Sequence, residues 1–226
     1  MGKVVTDNAK QQHEVVKDDS LSRLSREDWV AAALHIFAWK GIDAVRIEPL
    51  AQSLNVTKGS FYWHFKNRKE LHQAIIEHWG ERCTRALTDS ITKSTDIIDV
   101  VLNVFCMWMR DEPFSPRLDA GMRDWARRSS SVREAVQQAD AARTRTIEQA
   151  FVQAGYSAEA ACIRARALYF IQIGYYESNM AESRMQRIQN WREYVKVITG
   201  LELTPERLTE FRDRNFTAAE LLIEQE

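Results

Sequence analysis

Apolar residues recur every three or four positions through most of this chain and seldom alternate, a spacing that belongs to helices rather than strands. Trp29, Val30, Ala33, Leu34 and Phe37 form one such stripe. Ser25 opens it as a cap, Asp28 stands three residues on, Leu24 is placed to staple against Trp29, and Gly41 after Lys40 closes it. A short second helix over about 47–53 tolerates Pro49 because that residue falls in its first turn. Leu54-Asn55-Val56 then reads as a turn, with Asn55 accepting a left-handed backbone. Thr57 caps a third helix to about His64. Asn67 and Glu70 cap a fourth, on which Leu71, Ile75, Trp79 and Leu87 keep helical spacing.

The helical period continues beyond Ser90. Asp96 to Arg110 is strongly apolar, and the segment DEPFSP from Asp111 to Pro116 interrupts it. Helices are predicted over about 117–128 and 131–153, from Ser157 as a cap to about Met180, and from about Ser183 to Thr199 before Gly200. Thr204-Pro205 opens the last, with proline at its first position. With about ten helices and no strand pattern, the chain is predicted all-α. Residues 1–20 are polar and aperiodic, so the expected division is an N-terminal arm over 1–22, a small helical domain over 23–70 and a larger one over 71–226.

Composition changes this picture in only a few places. An apolar share of 45% suffices for a real core, and four prolines and eight glycines suit helices joined by short links. The net charge of -1 carries no nucleic-acid signal, but its distribution does, because no Asp or Glu occurs between Pro49 and Lys69. Cys83, Cys106 and Cys162 fit neither a disulfide framework nor a zinc pattern, which suggests a reducing compartment. No apolar run approaches the roughly 18 residues of a membrane span, and the expected location is the cytoplasm.

Inside the acid-free stretch stand Lys58, His64, Lys66, Arg68 and Lys69, interleaved with Phe61, Tyr62, Trp63 and Phe65. A helix pair of this form sets its second helix in the major groove of double-stranded DNA, N-terminal residues toward the base edges. Those residues here are Thr57, Lys58, Gly59 and Ser60. Lys58 is long enough for a guanine edge or a phosphate, Gly59 lets the backbone approach closely, and the two hydroxyls can donate to phosphates or bases. Tyr62, His64, Lys66, Arg68 and Lys69 would brace the flanking backbone, with Arg46 holding the opposite strand. Phe61, Phe65, Leu50, Ala51, Leu54 and Val56 are assigned to the small core that fixes the angle of the two helices.

The stretch GIDAVRIEPLAQSLNVTKGSFYWHFKNRKEL resembles the N-terminal signature of the TetR family of bacterial transcription regulators, over about Arg26 to Trp79. Two positions depart from it: Asn55 where the family usually has glycine, and Val45-Arg46 where Thr-Thr is common. The resemblance implies a homodimer that binds a pseudo-palindromic operator, with a C-terminal helical domain that pairs the subunits and holds a small-molecule effector. Most members repress until the effector releases them. Arg117 to Val136 is similar to a linker-helix pattern of one branch.

Phe105, Met107, Trp108, Met109, Phe114, Met122 and Trp125 form an aromatic and methionine cluster that either fills the core or lines an effector cavity. Arg123, Tyr169, Gln172 and Tyr176 are possible polar anchors beside it. Two stripes on the helix after Ser157 offer subunit pairing or core packing: Ala161, Ala165, Leu168, Gln172 and Tyr175 on one side, and Cys162, Ile163, Ala167, Phe170, Ile171 and Gly174 on the other. No hydrolase, P-loop or dinucleotide fingerprint occurs, and the five histidines lack metal-ligand spacing. No catalytic residue, metal or cofactor is therefore expected. Two other readings stay open from the residues alone: a structural DNA binder that senses nothing, and a helical small-molecule-binding protein.

Overall fold

The computed structural model describes residues 24–110, 115–178 and 182–221. The expected N-terminal arm, Phe114 and the helix end at Met180 lie outside the described residues. Eleven α-helices occur among those described: α1 (Arg26–Lys40), α2 (Ile47–Ser53), α3 (Lys58–Phe61), α4 (Arg68–Thr92), α5 (Ile97–Trp108), α6 (Pro116–Arg128), α7 (Ser130–Gln153), α8 (Ala158–Ser178), α9 (Arg184–Thr199), α10 (Pro205–Asn215) and α11 (Ala218–Leu221). A single 3₁₀ turn, Ile42–Ala44, links α1 to α2. The described chain is all-helical, as its periodicity requires.

Helix ends follow from local chemistry. At α1 the Ser25 hydroxyl accepts from the Asp28 amide at 3.2 Å while the Asp28 carboxylate accepts from the Ser25 amide at 2.7 Å, so two orphan donors are satisfied reciprocally. Asn67 caps α4 through the Glu70 amide at 3.1 Å, Ser183 and Gln186 form a capping box at α9, and Pro205 sits in the first turn of α10. Gly200 ends α9 in the left-handed region at φ 78°. One helix goes beyond the sequence reading. Thr217 and Glu220 cap each other to start α11, a Thr-x-x-Glu signature present in the sequence but not used.

Packing places α7 at the centre, against α4, α6 and α8, while α5 lies between α4 and α9. Helix α6 also packs on α1 and α4, so it joins the N-terminal helices to the rest. Trp29, Trp79 and Trp108 are fully buried; ring burial of this kind contributes roughly 1.5–3 kcal/mol per side chain. On α8 the stripe Ala161, Ala165, Leu168 and Gln172 is buried in the subunit's own core, whereas Ile163, Ala167, Phe170 and Gly174 face outward.

Candidate nucleic-acid interface

The turn between α2 and α3 depends on one residue. Asn55 has φ 54°, and the Val56 amide reaches back to the Ala51 carbonyl at 3.0 Å. Asn tolerates this backbone better than other residues with a Cβ, so the departure from glycine leaves the turn intact. Phe61 is wedged edge-on against Trp29 at 5.4 Å and stacked on Phe65 at 5.3 Å. Leu50, Ala51, Phe61 and Phe65 are buried and Leu54 and Val56 partly so, which sets the angle between α2 and α3.

Thr57, Lys58 and Gly59 lie exposed at the leading end of α3, and Ser60 is half-buried. Two details correct the sequence reading. Thr57 occupies the cap position without making a capping hydrogen bond, and α-geometry stops at Phe61, with turns carrying the chain on to His64. Nothing inside the protein requires glycine at 59, since an added Cβ would meet only the Thr57 hydroxyl at 3.6 Å, an ordinary contact. Lys58 forms an ion pair with Glu48 of α2 at 2.7 Å, both side chains being more than half exposed. The hydrogen bond with Glu48 raises the Lys58 pKa and lowers that of the carboxylate. Glu48 stands one residue before the acid-free stretch, and only the α2–α3 angle brings it to Lys58.

The remaining expected contacts divide into two groups. Tyr62, Lys66 and Lys69 are exposed, as is Arg46, whose Nε donates to the Asp43 carbonyl at 3.1 Å. Trp63 is 76% exposed, and the sequence reading assigned it no role. His64 is half-buried beside Trp29, with ring centroids 6.4 Å apart. Arg68 is turned inward: its Nε donates to the Val45 carbonyl at 2.8 Å and its Nη2 to the Ile42 carbonyl at 3.0 Å. Backbone carbonyls, not the outer surface, hold that guanidinium.

Among the effector-site candidates, Trp108 adjoins Phe105, Tyr169 and Tyr176, whereas Trp125 lies apart. Phe105 stacks on Trp191 at 5.7 Å, Trp108 lies against Tyr169 at 6.3 Å, and Met109 and Met122 are buried. Tyr176 donates to the Trp108 carbonyl at 3.0 Å, and Gln172 accepts from Arg187 at 3.3 Å. Trp125 belongs elsewhere, set between Phe37 of α1 and His72 of α4. Sequence reasoning named Arg123 and Tyr169 as polar anchors but missed Asp119, Asp140 and Arg143, which join them in a charged centre beside these rings. Arg123 binds both oxygens of Asp140 at 2.9 Å and Asp119 at 2.9 Å, Arg143 reaches Asp119 at 3.4 Å, and the Tyr169 hydroxyl donates to Asp140 at 2.7 Å. Burial opposes the Arg123 charge, but Asp140 and Asp119 outweigh it and raise its pKa; burial also raises that of Tyr169. The available signal was Arg143 itself, a polar residue in register with the buried Ala139 and Ile147 of α7.

These features define, over the described residues, an all-helical fold that carries an exposed helix-turn-helix. Residues 30–75 match the family described as bacterial regulatory proteins, tetR family. The tetracycline repressor protein class D of Escherichia coli is 38% identical over 55 residues, which is 24% of this chain and 25% of that protein. The transcriptional regulator TtgR of Pseudomonas putida is 29% identical over 83 residues, 37% of each. The chain thus matches between 25% and 37% of the length of these curated relatives. Two solved structures share the wider fold. Reduced NemR of E. coli has TM-score 0.61 at 17% identity, covering 80% of this chain and 98% of that one. The regulator SCO7518 of Streptomyces coelicolor has TM-score 0.60 at 18%, covering 78% and 98%. Residues 30–75 thus match the DNA-binding region of the tetR family of bacterial regulatory proteins, and the wider described chain shares the fold of the two solved structures. No described helix is long and apolar enough to cross a membrane.

Proposed function

We propose that the protein is a cytoplasmic repressor that binds a pseudo-palindromic operator as a homodimer and is released by a small molecule. The DNA-binding unit comprises residues 23–70 and the effector and pairing unit residues 71–226. The observation that carries this reading is the leading end of α3. Thr57, Lys58 and Gly59 are exposed there on a rigid turn, beside a glycine that the fold itself does not need. Thr57, Lys58, Gly59 and Ser60 would face bases, while Arg46, Tyr62, Lys66 and Lys69 would meet phosphates.

Support for pairing comes from the outward stripe of α8. Ile163 and Phe170 are 63% and 52% exposed, and Val197 on α9 and Leu201 just beyond it are exposed as well. Two copies joined there would place two α3 helices on successive major grooves, about 34–36 Å apart. An effector would act through its difference in affinity for the DNA-fitting and non-fitting forms. Repression is the direction supported by the named repressors among the relatives. Selection of bound sequences from a random duplex pool, followed by footprinting, tests the proposal. The expected result is a two-fold symmetrical site with half-sites one helical turn apart; even coverage of all duplexes would refute it.

A further inference from the structure

We infer that Arg68 is a positioning residue of the DNA-binding surface and not one of its phosphate contacts. The inference rests on the reading above and names how that surface is held. Arg68 opens α4, yet its guanidinium spans the carbonyls of Ile42 at 3.0 Å and Val45 at 2.8 Å. These carbonyls bracket the loop that ends at Arg46, the residue preceding the first turn of α2. A planar fork with fixed donors therefore determines where α2 begins and, through the α2–α3 core, where α3 points.

The same loop is gripped from α6. Arg128 donates to the Asp43 carboxylate at 3.1 Å, and Trp125 packs edge-on against His72 at 5.2 Å and Phe37 at 5.8 Å. His72 Nε2, at 3.1 Å, shares with the Val45 carbonyl the single hydrogen of Arg68 Nε. Burial, then the Arg68 charge, lower the His72 pKa to about 4, so near neutral pH the ring remains an acceptor for that donor. Gly121 allows the close approach of α6 to α1, since a Cβ there would lie 3.3 Å from the Phe37 ring. Helix α6 also carries Asp119 and Arg123 of the buried charged centre.

Nonspecific binding to a mixed-sequence duplex of about 30 base pairs, titrated between about 50 and 200 mM salt, counts phosphate contacts without a known operator. Lys69→Ala, at an exposed cation, serves as the reference and lowers the salt slope by about one. Arg68→Lys keeps the charge, but one ammonium cannot span both carbonyls. The expected result is binding weakened about fivefold or more at an unchanged slope, with faster amide hydrogen exchange across residues 42–47. If Arg68 met a phosphate, Arg68→Lys would bind like wild type and Arg68→Ala would lose slope as Lys69→Ala does; either result overturns the inference. Should wild type itself show no salt-dependent binding, the DNA-binding reading falls. The exchange experiment on free protein still decides the clamp, and unchanged exchange at 42–47 in Arg68→Lys refutes it.

Discussion

At the tip of the molecule Lys58 and Glu48 pair at 2.7 Å with both side chains more than half exposed, whereas in its centre Asp119 and Arg143 pair at 3.4 Å with 2% and 1% exposed. The exposed pair sits in water, is screened by salt and contributes little to folding, so Lys58 is easily exchanged to a phosphate or a base. The central pair belongs to a set in which Arg123, Asp140 and Tyr169 satisfy one another across α6, α7 and α8. Removing one member there strands a charge away from water. One region keeps its charges available to an outside partner, and the other uses them to fix helices against each other.

The largest effect is expected where the central set is broken. Asp119→Ala leaves Arg123 and Arg143 each short of a carboxylate and should destabilise the fold by about 3–5 kcal/mol in urea unfolding. A loss below about 1 kcal/mol would show that water or rearrangement replaces the carboxylate. At the tip, shape matters more than charge. Asn55→Val forces a β-branched residue to φ 54° and should cost about 1–2 kcal/mol in thermal unfolding, while Asn55→Gly changes stability by a few tenths at most.

Between the two regions lies His72, whose folded pKa of about 4 is below its ordinary 6.5. The unfolded chain binds the extra proton first, so the contribution to stability is complete above pH 6.5 and is lost as pH falls toward 4. With the ring only half-buried, the loss is on the order of 1 kcal/mol after discounting for solvent screening. His72→Gln should remove that part of the pH dependence in unfolding curves at pH 4.5 to 7, and an unaltered curve would place the titration elsewhere. The smallest effect on folding is expected from Lys58→Ala and Glu48→Gln, neither of which should move the unfolding midpoint. Their effects on DNA titrations should be opposite. Lys58→Ala weakens binding, and Glu48→Gln strengthens it by releasing the lysine and removing a negative charge beside the phosphates.

Much of the fold could be read from local chemistry, because caps and left-handed turns act within a few residues. Ser25 with Asp28, Asn67 with Glu70, Ser183, Thr204-Pro205, Gly41, Gly200 and Asn55 all mark boundaries that the structure keeps. The assignment of Phe61, Phe65, Leu50 and Ala51 to the small core that fixes the helix angle also holds. What the sequence concealed depends on tertiary approach. Arg68 finds carbonyls 23 and 26 residues earlier, Lys58 finds Glu48 across a turn, and Arg143 meets Asp119 from another helix. Trp125 shared a composition signal with Phe105 and Trp108, but its place on α6 carries it to α1 and α4.

Binding of Gly59→Trp to a selected operator, measured beside its thermal unfolding, tests most directly whether the leading end of α3 enters a DNA groove. Because the fold leaves space at residue 59, the unfolding temperature should stay within a few degrees of wild type while specific binding is lost by at least about a hundredfold. Operator affinity equal to wild type, in a variant that remains folded, would contradict the placement of α3 in the groove.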